Sequence, residues 1–367
     1  MLDQLNLKDF LNLNNPSDHI SSFSHVKSHL LYDSVSNEQD VFISFVMPTY
    51  NRCKFLEEAL ESIVSLDNLE KIKYEIIITD NSACLSDENQ SLQMVKERGY
   101  SNLRYFVNEN NIGVSGNLNR CIEMARGKYV SMLLDDDLLD KQYLTVVLQC
   151  INYLTDKHID FCGIKPNYTR FHEDDDLLEY PNYEHVFISP VTKTKCLFQG
   201  IGPSSCPTCG ILFDRKRFIE VGGFYGELDP VGDYVVGYLM MRKGSNFYNI
   251  IEKTGYYRIA NNESTNKETN LNFCKGDYYF REFMYSESFL RKLFGIVFRK
   301  VQYTESLKNL VINAKEFGVN LSVDEMAFDK NYGRCAIRTL LFKVLRKIHY
   351  LFFCKGRRIK INIGKES

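Results

Sequence analysis

The stretch Gly127-Lys-Tyr-Val-Ser-Met-Leu-Leu-Asp-Asp-Asp137 decides the reading of this chain. Up to Leu134 it is a short apolar run that begins at a glycine, the pattern of a buried strand. Its end delivers three carboxylates to one point. Adjacent carboxylates repel one another and resist desolvation. A folded protein places them at the end of a buried strand at a cost, unless a cation offsets it. Oxygen-only ligation by aspartate suits Mg²⁺ or Mn²⁺, and such ions often share their shell with a substrate phosphate.

Outward from that stretch, strands and helices alternate. Val41–Met47 is an apolar run ended by Pro48. Phe55, Leu56, Ala59, Leu60 and Ile63 follow helical spacing, with Asn51 placed to cap that helix. Tyr74–Thr79 reads as a strand that stops at Asp80-Asn81-Ser82, and a helix is expected near Asp87–Arg98. Leu103–Val107 is a third strand, Val114–Arg126 a helix, Tyr129–Leu134 the fourth strand and Lys141–Leu154 a further helix. This alternation implies a mostly parallel sheet flanked by helices, a Rossmann-like α/β architecture. In such sheets ligands bind beyond the carboxyl ends of the strands. Thr49-Tyr50-Asn51, Asp80-Asn81-Ser82, Asn108–Asn117 and Asp135–Asp137 all sit at those ends, so one crevice is expected to collect them.

After Ile159–Ile164 the regularity fails. Residues 165–208 are rich in Pro, Tyr, Asp and Thr and read as long loops. A strand at Gly210–Phe213, helices at Arg215–Val221 and Tyr234–Arg242, and strands at Phe247–Ile251 and Tyr256–Ile259 are expected. From about Asn272 to Cys354 the chain reads helical and becomes basic. The expected division is an N-terminal extension over 1–40 with a short helix at Leu5–Leu13, an α/β domain over 41–270, and a helical, basic region over 271–367.

Bulk composition narrows the class. The 367 residues are 44% hydrophobic and 25% charged, as in soluble globular proteins. A net charge of −2 provides no global field for nucleic acid, so no nucleic-acid partner is expected. Eleven scattered cysteines, with no cationic, apolar leader at Met1-Leu-Asp-Gln-Leu-Asn6, read as reduced thiols in a cytosol. Cys206-Pro-Thr-Cys209 is a close pair, but it lacks the second pair a zinc site needs. No apolar run reaches the roughly 18 residues of a membrane span. A second acidic run, Glu173-Asp-Asp-Asp176, follows no buried strand and reads as a solvated loop.

In this order and register, several motifs resemble the family 2 glycosyltransferases of GT-A fold. They are Phe45-Val-Met-Pro-Thr-Tyr-Asn51, Ile76-Ile-Ile-Thr-Asp-Asn-Ser82, Asn111-Ile-Gly-Val-Ser-Gly-Asn117, Ala125-Arg-Gly-Lys-Tyr-Val130, Leu134-Asp-Asp-Asp137, Gly222-Gly-Phe224 and Gly232-Asp-Tyr234. The resemblance covers roughly residues 41–262 and points to bacterial enzymes that build O-antigen or capsule. It implies an inverting hexosyltransferase using a nucleotide diphosphate sugar, a UDP-sugar in this reading. The acceptor would be either a saccharide or a lipid-linked saccharide, the lipid being undecaprenyl pyrophosphate at the inner face of the bacterial membrane.

By the same resemblance, Pro48, Thr49, Tyr50, Asn51, Arg52 and Asp80 would hold the nucleotide. Asn111, Gly113 and Asn117 would line its side of the cleft. Asp135 and Asp137 would be the outer carboxylates of the D-x-D motif, with Asp137 on the metal, Asp135 on ribose or metal, and Asp136 toward sugar hydroxyls. Asp233 is the candidate base, with Asp229 and Glu227 as rivals, because Gly232 stands where the family commonly carries a first acid. The family's His after a Tyr-Arg strand is missing from Tyr257-Arg-Ile-Ala-Asn-Asn-Glu-Ser264, which leaves Asn261 or the donor phosphates to complete the metal shell.

Bulky apolar and cationic residues mix over Arg334–Lys360, and Leu341, Leu345, Ile348 and Phe352 fall at helical spacing. This composition suits either peripheral membrane contact through residues 334–360 or a helix packed on the domain with a basic outer face. Two other functions remain in view: a nucleotidyltransferase, whose Gly-rich first loop is absent from Pro48–Arg52, and a non-catalytic carbohydrate-binding scaffold.

Overall fold

The computed structural model describes residues 6–35, 40–175, 177, 179–198, 208–241, 245–259, 266–333, 335–354 and 358–363. Eleven strands among them form one sheet. They are β1 (Ser28–Asp33), β2 (Ile43–Thr49), β3 (Tyr74–Asp80), β4 (Leu103–Asn108), β5 (Tyr129–Met132), β6 (Leu138–Leu139), β7 (Phe161–Phe171), β8 (His185–Val191), β9 (Ile211–Asp214), β10 (Asn246–Arg258) and β11 (Ile359–Asn362). The order is β1-β4-β3-β2-β5-β9-β7-β10-β8-β11, with β6 pairing β10 off that path. The strands β4, β3, β2 and β5 are mutually parallel, as are β7 and β10. β1, β6, β8 and β9 run against them. The parallel core is thus widened on both sides by antiparallel strands.

The helices are α1 (Leu7–Leu11), α2 (Cys53–Val64), α3 (Gln90–Arg98), α4 (Gly113–Met124), α5 (Tyr143–Asp156), α6 (Lys193–Cys196), α7 (Arg215–Glu220), α8 (Gly232–Met240), α9 (Lys267–Ser286), α10 (Phe289–Glu316), α11 (Val323–Met326) and α12 (Ala336–His349). Every residue of β2 is buried, because successive side chains enter cores on opposite faces. Ile43, Phe45 and Met47 pack with Leu56, Leu60 and Ile63 of α2 and with Leu144 and Val147 of α5. Val46 and Ile77 face the other side, where Leu118 and Ile122 of α4, Val235 of α8, and Phe280 and Phe283 of α9 close the core. The C-terminal helices form a smaller core of their own around Leu307, Leu310 and Met326.

Several local expectations are corrected by long-range pairing. The loop expected over 165–208 contains the second half of β7, all of β8, and α6. Asn167–Arg170 carry no apolar alternation; they are held extended because β10 pairs alongside them. The two late strands are one, β10, whose register against β7 slips between Asn249 and Gly255. Irregular pairing of this kind breaks the period-2 pattern on which the sequence reading relies. The N-terminal extension is built into the domain, since β1 covers the β4 edge. Its helix is α1, prolonged by a 3₁₀ turn at Asn12–Asn14.

Asn51 does not cap α2: its φ of +55° turns the chain, and Arg52 occupies the cap position with no side-chain cap bond. Asp233 is not a cap either, because Val231 occupies that position on α8. Cys206 lies outside the described residues, while Cys209 is buried and forms no disulfide with any described cysteine.

At the amino ends of the parallel strands Glu75 is fully buried and meets Arg104 at 2.7 Å. It also accepts from Ser44 Oγ at 2.6 Å and from the Arg126 N–H at 2.7 Å. This pair joins β2, β3, β4 and the end of α4, far from the acidic turn. Glu75→Ala would leave a buried guanidinium uncompensated. The expected destabilisation is about 3–5 kcal/mol by chemical denaturation.

Candidate active site

β5 ends at Met132, and the chain turns at Asp135-Asp136 before the short β6. The three carboxylates are 5, 5 and 1% exposed, respectively. Two remote segments, the β2–α2 junction and the end of β10, hold them. Thr49, at the end of β2, donates its Oγ1–H to Asp135 at 2.7 Å. Arg52, at the start of α2, reaches Asp136 at 2.8 Å and Asp135 at 3.4 Å. Arg258, at the end of β10, gives its backbone N–H to Asp137 Oδ1 at 3.0 Å and its Nε–H to the Asp136 carbonyl at 2.8 Å. The Arg258 guanidinium is buried between the rings of Phe55 and Phe171, at 4.8 and 4.7 Å, and also meets Glu58. It is an internal brace for the acidic turn, not a surface ion pair.

Burial pushes all three carboxyls upward. Asp135 rises to about 6, chiefly by desolvation, with Thr49 and Arg52 pulling the other way. Desolvation raises Asp136 against the pull of Arg52. Asp137 is pushed well above the usual carboxylate range by burial and then by the charge of Asp136. Asp137 Oδ2 has no hydrogen-bond partner among the described residues. Buried polar atoms are rarely left so. Among those residues no preformed cage of three or more His, Cys, Asp or Glu side chains exists. A hard divalent ion fits Asp137 Oδ2 and the neighbouring carboxylate oxygens, with the rest of its shell supplied by a ligand.

A cleft of about 330 Å³ opens above this turn. Of the expected residues, Pro48, Thr49, Tyr50, Arg52, Asn117, Asp135 and Asp136 line it. Asn81, Val114, Leu134 and Tyr257 complete the wall. Asn81 and Val114 belong to strand-end clusters expected there, whereas Leu134 and Tyr257 carry no distinctive residue type and are placed there by the fold. Tyr50 is 52% exposed, a free aromatic surface at the rim.

Other expected residues lie off the cleft wall. Asp80 is 1% exposed and accepts from the Ser82 N–H, Ser82 Oγ, Asn89 Nδ2 and Tyr105 Oη at 2.7–2.8 Å. It makes an Asx turn that shapes the floor. Asn117, which does line the cleft, ties the strand ends together, donating to the carbonyls of Thr79 and Thr49 and accepting from Asn108. Asn111 is exposed and accepts from the Gly113 N–H. Gly113 starts α4 with φ +75°, a conformation that favours glycine. It lines a neighbouring depression with Val114 and Asp229.

Asp233 lies in the first turn of α8, half-buried. The phenol of Tyr168 is raised first by burial, and the charges of Cys209, Asp137 and Asp233 add to it. Tyr168 packs on Tyr257 of the cleft wall, with ring centroids 5.4 Å apart. Of the rivals, Asp229 receives Ser115 Oγ at 2.8 Å, whereas Glu227 is mostly exposed beside His19. Glu173 is exposed and pairs with Lys54 at 2.6 Å, as a solvated run would; Asp176 and Asn261 lie outside the described residues.

The fold is that of the GT-A glycosyltransferases. The chain is similar to the mannosyltransferase PcManGT from Pyrobaculum calidifontis, solved in complex with GDP-Man and Mn²⁺. The TM-score is 0.51, with 12% identity over 94% of this chain and 93% of that one. Residues 44–215 match the family model of glycosyl transferase family 2. That segment contains the whole acidic turn and stops short of Asp233.

Among curated proteins, the chain is 33% identical over 111 residues to the GalNAc(5)-diNAcBac-PP-undecaprenol beta-1,3-glucosyltransferase of Campylobacter jejuni. This match covers 30% of this chain and 34% of that protein. It is 30% identical over 154 residues to the abequosyltransferase of Salmonella typhimurium, covering 39% and 45%. The chain thus spans about a third of the first relative and under half of the second.

The raised carboxyls have a definite linkage consequence. An acid whose folded pKa lies above its unfolded value binds its proton more tightly when folded. Its penalty is absent below the unfolded pKa, near 4, and is fully felt above the folded one. For Asp135 the window runs from about pH 4 to about 6 and is worth on the order of 3 kcal/mol. In metal-free buffer, Asp135→Asn should therefore gain on the wild type as pH rises through that window. Urea denaturation at both pH values checks this, and a pH-independent difference would mean that Asp135 titrates normally.

Proposed function

We propose that this chain is an inverting glycosyltransferase that moves a hexose from a UDP-sugar to a saccharide acceptor. The acceptor is lipid-linked, and the product belongs to bacterial surface polysaccharide. The observation that carries this reading is the Asp135–Asp137 turn, buried at the carboxyl ends of four parallel strands under an open cleft. The names of the Campylobacter and Salmonella relatives, and the undecaprenol in the first of them, support the choice of acceptor.

The nucleotide lies across Pro48, Thr49 and Tyr50, with the exposed Tyr50 ring available to stack on the base. Asp80 shapes that surface from behind by fixing the turn after β3. Arg52 is about one-third exposed and presents N–H donors beside the acidic turn, where a diphosphate needs them. Asp137 and Asp135 would hold Mn²⁺ or Mg²⁺. When bound, the ion neutralises charge on the departing diphosphate.

Asp233 takes the proton from the acceptor hydroxyl as that oxygen attacks the anomeric carbon from the face opposite the leaving group. Direct attack inverts the centre, through a state with oxocarbenium character. Arg258 and Thr49 position the acidic turn and do not touch the sugar. The protein works in the cytoplasm, with residues 334–360 in peripheral contact with the inner face of the membrane. No helix among the described residues is long and apolar enough to cross a bilayer.

Calorimetry with UDP in the presence of Mn²⁺, followed by turnover of a UDP-sugar panel against lipid-pyrophosphate saccharides, tests the reading. Absence of both binding and turnover would overturn it. Asp137→Ala should fold, keep its circular dichroism and lose transfer below detection. Asp233→Asn should lower kcat by about 10²–10⁴-fold with little change in donor affinity. Wild-type turnover in either variant would remove that residue from its role.

A further inference from the structure

Two adjoining helices in the C-terminal region turn apolar residues toward water. On α12, Phe342 is buried, Leu345 is half-buried, and His349 stacks on Phe198 at 4.8 Å. On the opposite side, Ile337, Leu340, Leu341, Val344 and Ile348 recur at helical spacing and are 82, 66, 46, 45 and 45% exposed. The expected stripe containing Leu345 is therefore divided: Leu345 faces the domain, and a second stripe faces out.

α10 repeats the pattern. Phe294 and Phe298 pack on Phe342, while Phe289, Leu290, Leu293 and Ile296 are 73, 76, 44 and 63% exposed. Scattered exposed leucines are ordinary, but two contacting helices with outward apolar faces mark an interaction surface.

Charge identifies the partner. Between Asp329 and Glu366 there is no acidic residue and there are eleven Lys and Arg. Arg338, Lys343 and Lys347 flank the outer stripe of α12 and make no ion pair among the described residues; nor do Lys292 and Lys300 on α10. A second copy of the chain would bring these cations against themselves. A nucleic acid would leave the apolar stripes in water. An anionic bilayer surface satisfies both features, with the apolar side chains in the acyl boundary and the cations among the headgroups.

We propose that α10 and α12 together form a docking face that lies in the plane of an anionic membrane interface. The face thus includes α10, well outside the basic segment 334–360. Its use rests on the proposed lipid-linked acceptor; its affinity for lipid does not.

Flotation of the full chain with vesicles tests this, comparing phosphatidylglycerol/phosphatidylcholine mixtures with phosphatidylcholine alone. The wild type should float with the anionic vesicles and be released by salt. Ile337→Ser/Leu340→Ser/Val344→Ser, Phe289→Ser/Leu290→Ser and Lys343→Gln/Lys347→Gln should each weaken binding by about ten-fold or more. Because the substituted positions are exposed, circular dichroism should be unchanged, as should turnover on a water-soluble acceptor. A wild type that ignores anionic vesicles, or variants that bind as it does, would overturn the proposal. So would a solution dimer that the serine variants split. Vesicle binding that survives in a protein without any donor turnover would uphold the docking face while refuting the transferase reading.

Discussion

Three consecutive carboxylates buried at one strand end are the constraint around which the rest of this structure is organised. Their desolvation is opposed by the guanidinium groups of Arg52 and Arg258, the Thr49 hydroxyl and the Arg258 backbone N–H, brought from the β2–α2 junction and from the end of β10. Arg52 leaves one side open to the cleft, whereas Arg258 is enclosed by two rings and serves the turn from beneath. The compensation is incomplete, as the raised Asp135 and the Asp137 Oδ2 without a partner among the described residues indicate.

The opposite end of the same strands is compensated more fully. Glu75 and Arg104 satisfy one another and draw in Ser44, Arg126 and the Met124 carbonyl. In the helical region Asp277 and Arg281 form a second buried pair, which Ser306 of α10 joins at 2.6 Å. These networks hold the sheet and the helices in register, with Arg104 Nε left without a hydrogen-bond partner among the described residues; at the acidic turn it is a carboxylate oxygen, Asp137 Oδ2, that is left so. Strand amino ends thus carry a buried ion pair, and strand carboxyl ends carry the acidic turn and the cleft.

Legibility followed the range of the interactions involved. The first four parallel strands were readable because β2, β3 and β4 are apolar on both faces and alternate with amphipathic helices. The acidic turn was readable because a carboxylate cluster after a buried run is chemically unusual. By contrast, β7 beyond Ile164 and all of β8 carry no period of their own and exist through pairing with β10. Asp80 illustrates the same limit within the site. Its type and position suit a ligand contact, yet Ser82, Asn89 and Tyr105 take up its oxygens. The role of Arg258 was not legible either, because its cage of Phe55 and Phe171 draws on residues far away in sequence.

By itself the amino-acid sequence determined that this is an α/β chain with a carboxylate-rich crevice and a basic, apolar C-terminal region. Those features are written in periodicity, charge and residue type over short spans. Only the tertiary structure decided which polar groups face the cleft and which brace it, and that α12 shows a second apolar stripe to solvent beside that of α10. The reason is that orientation and burial are properties of pairings between distant segments. A side chain's chemistry is local, but the partners that satisfy it or leave it open are not.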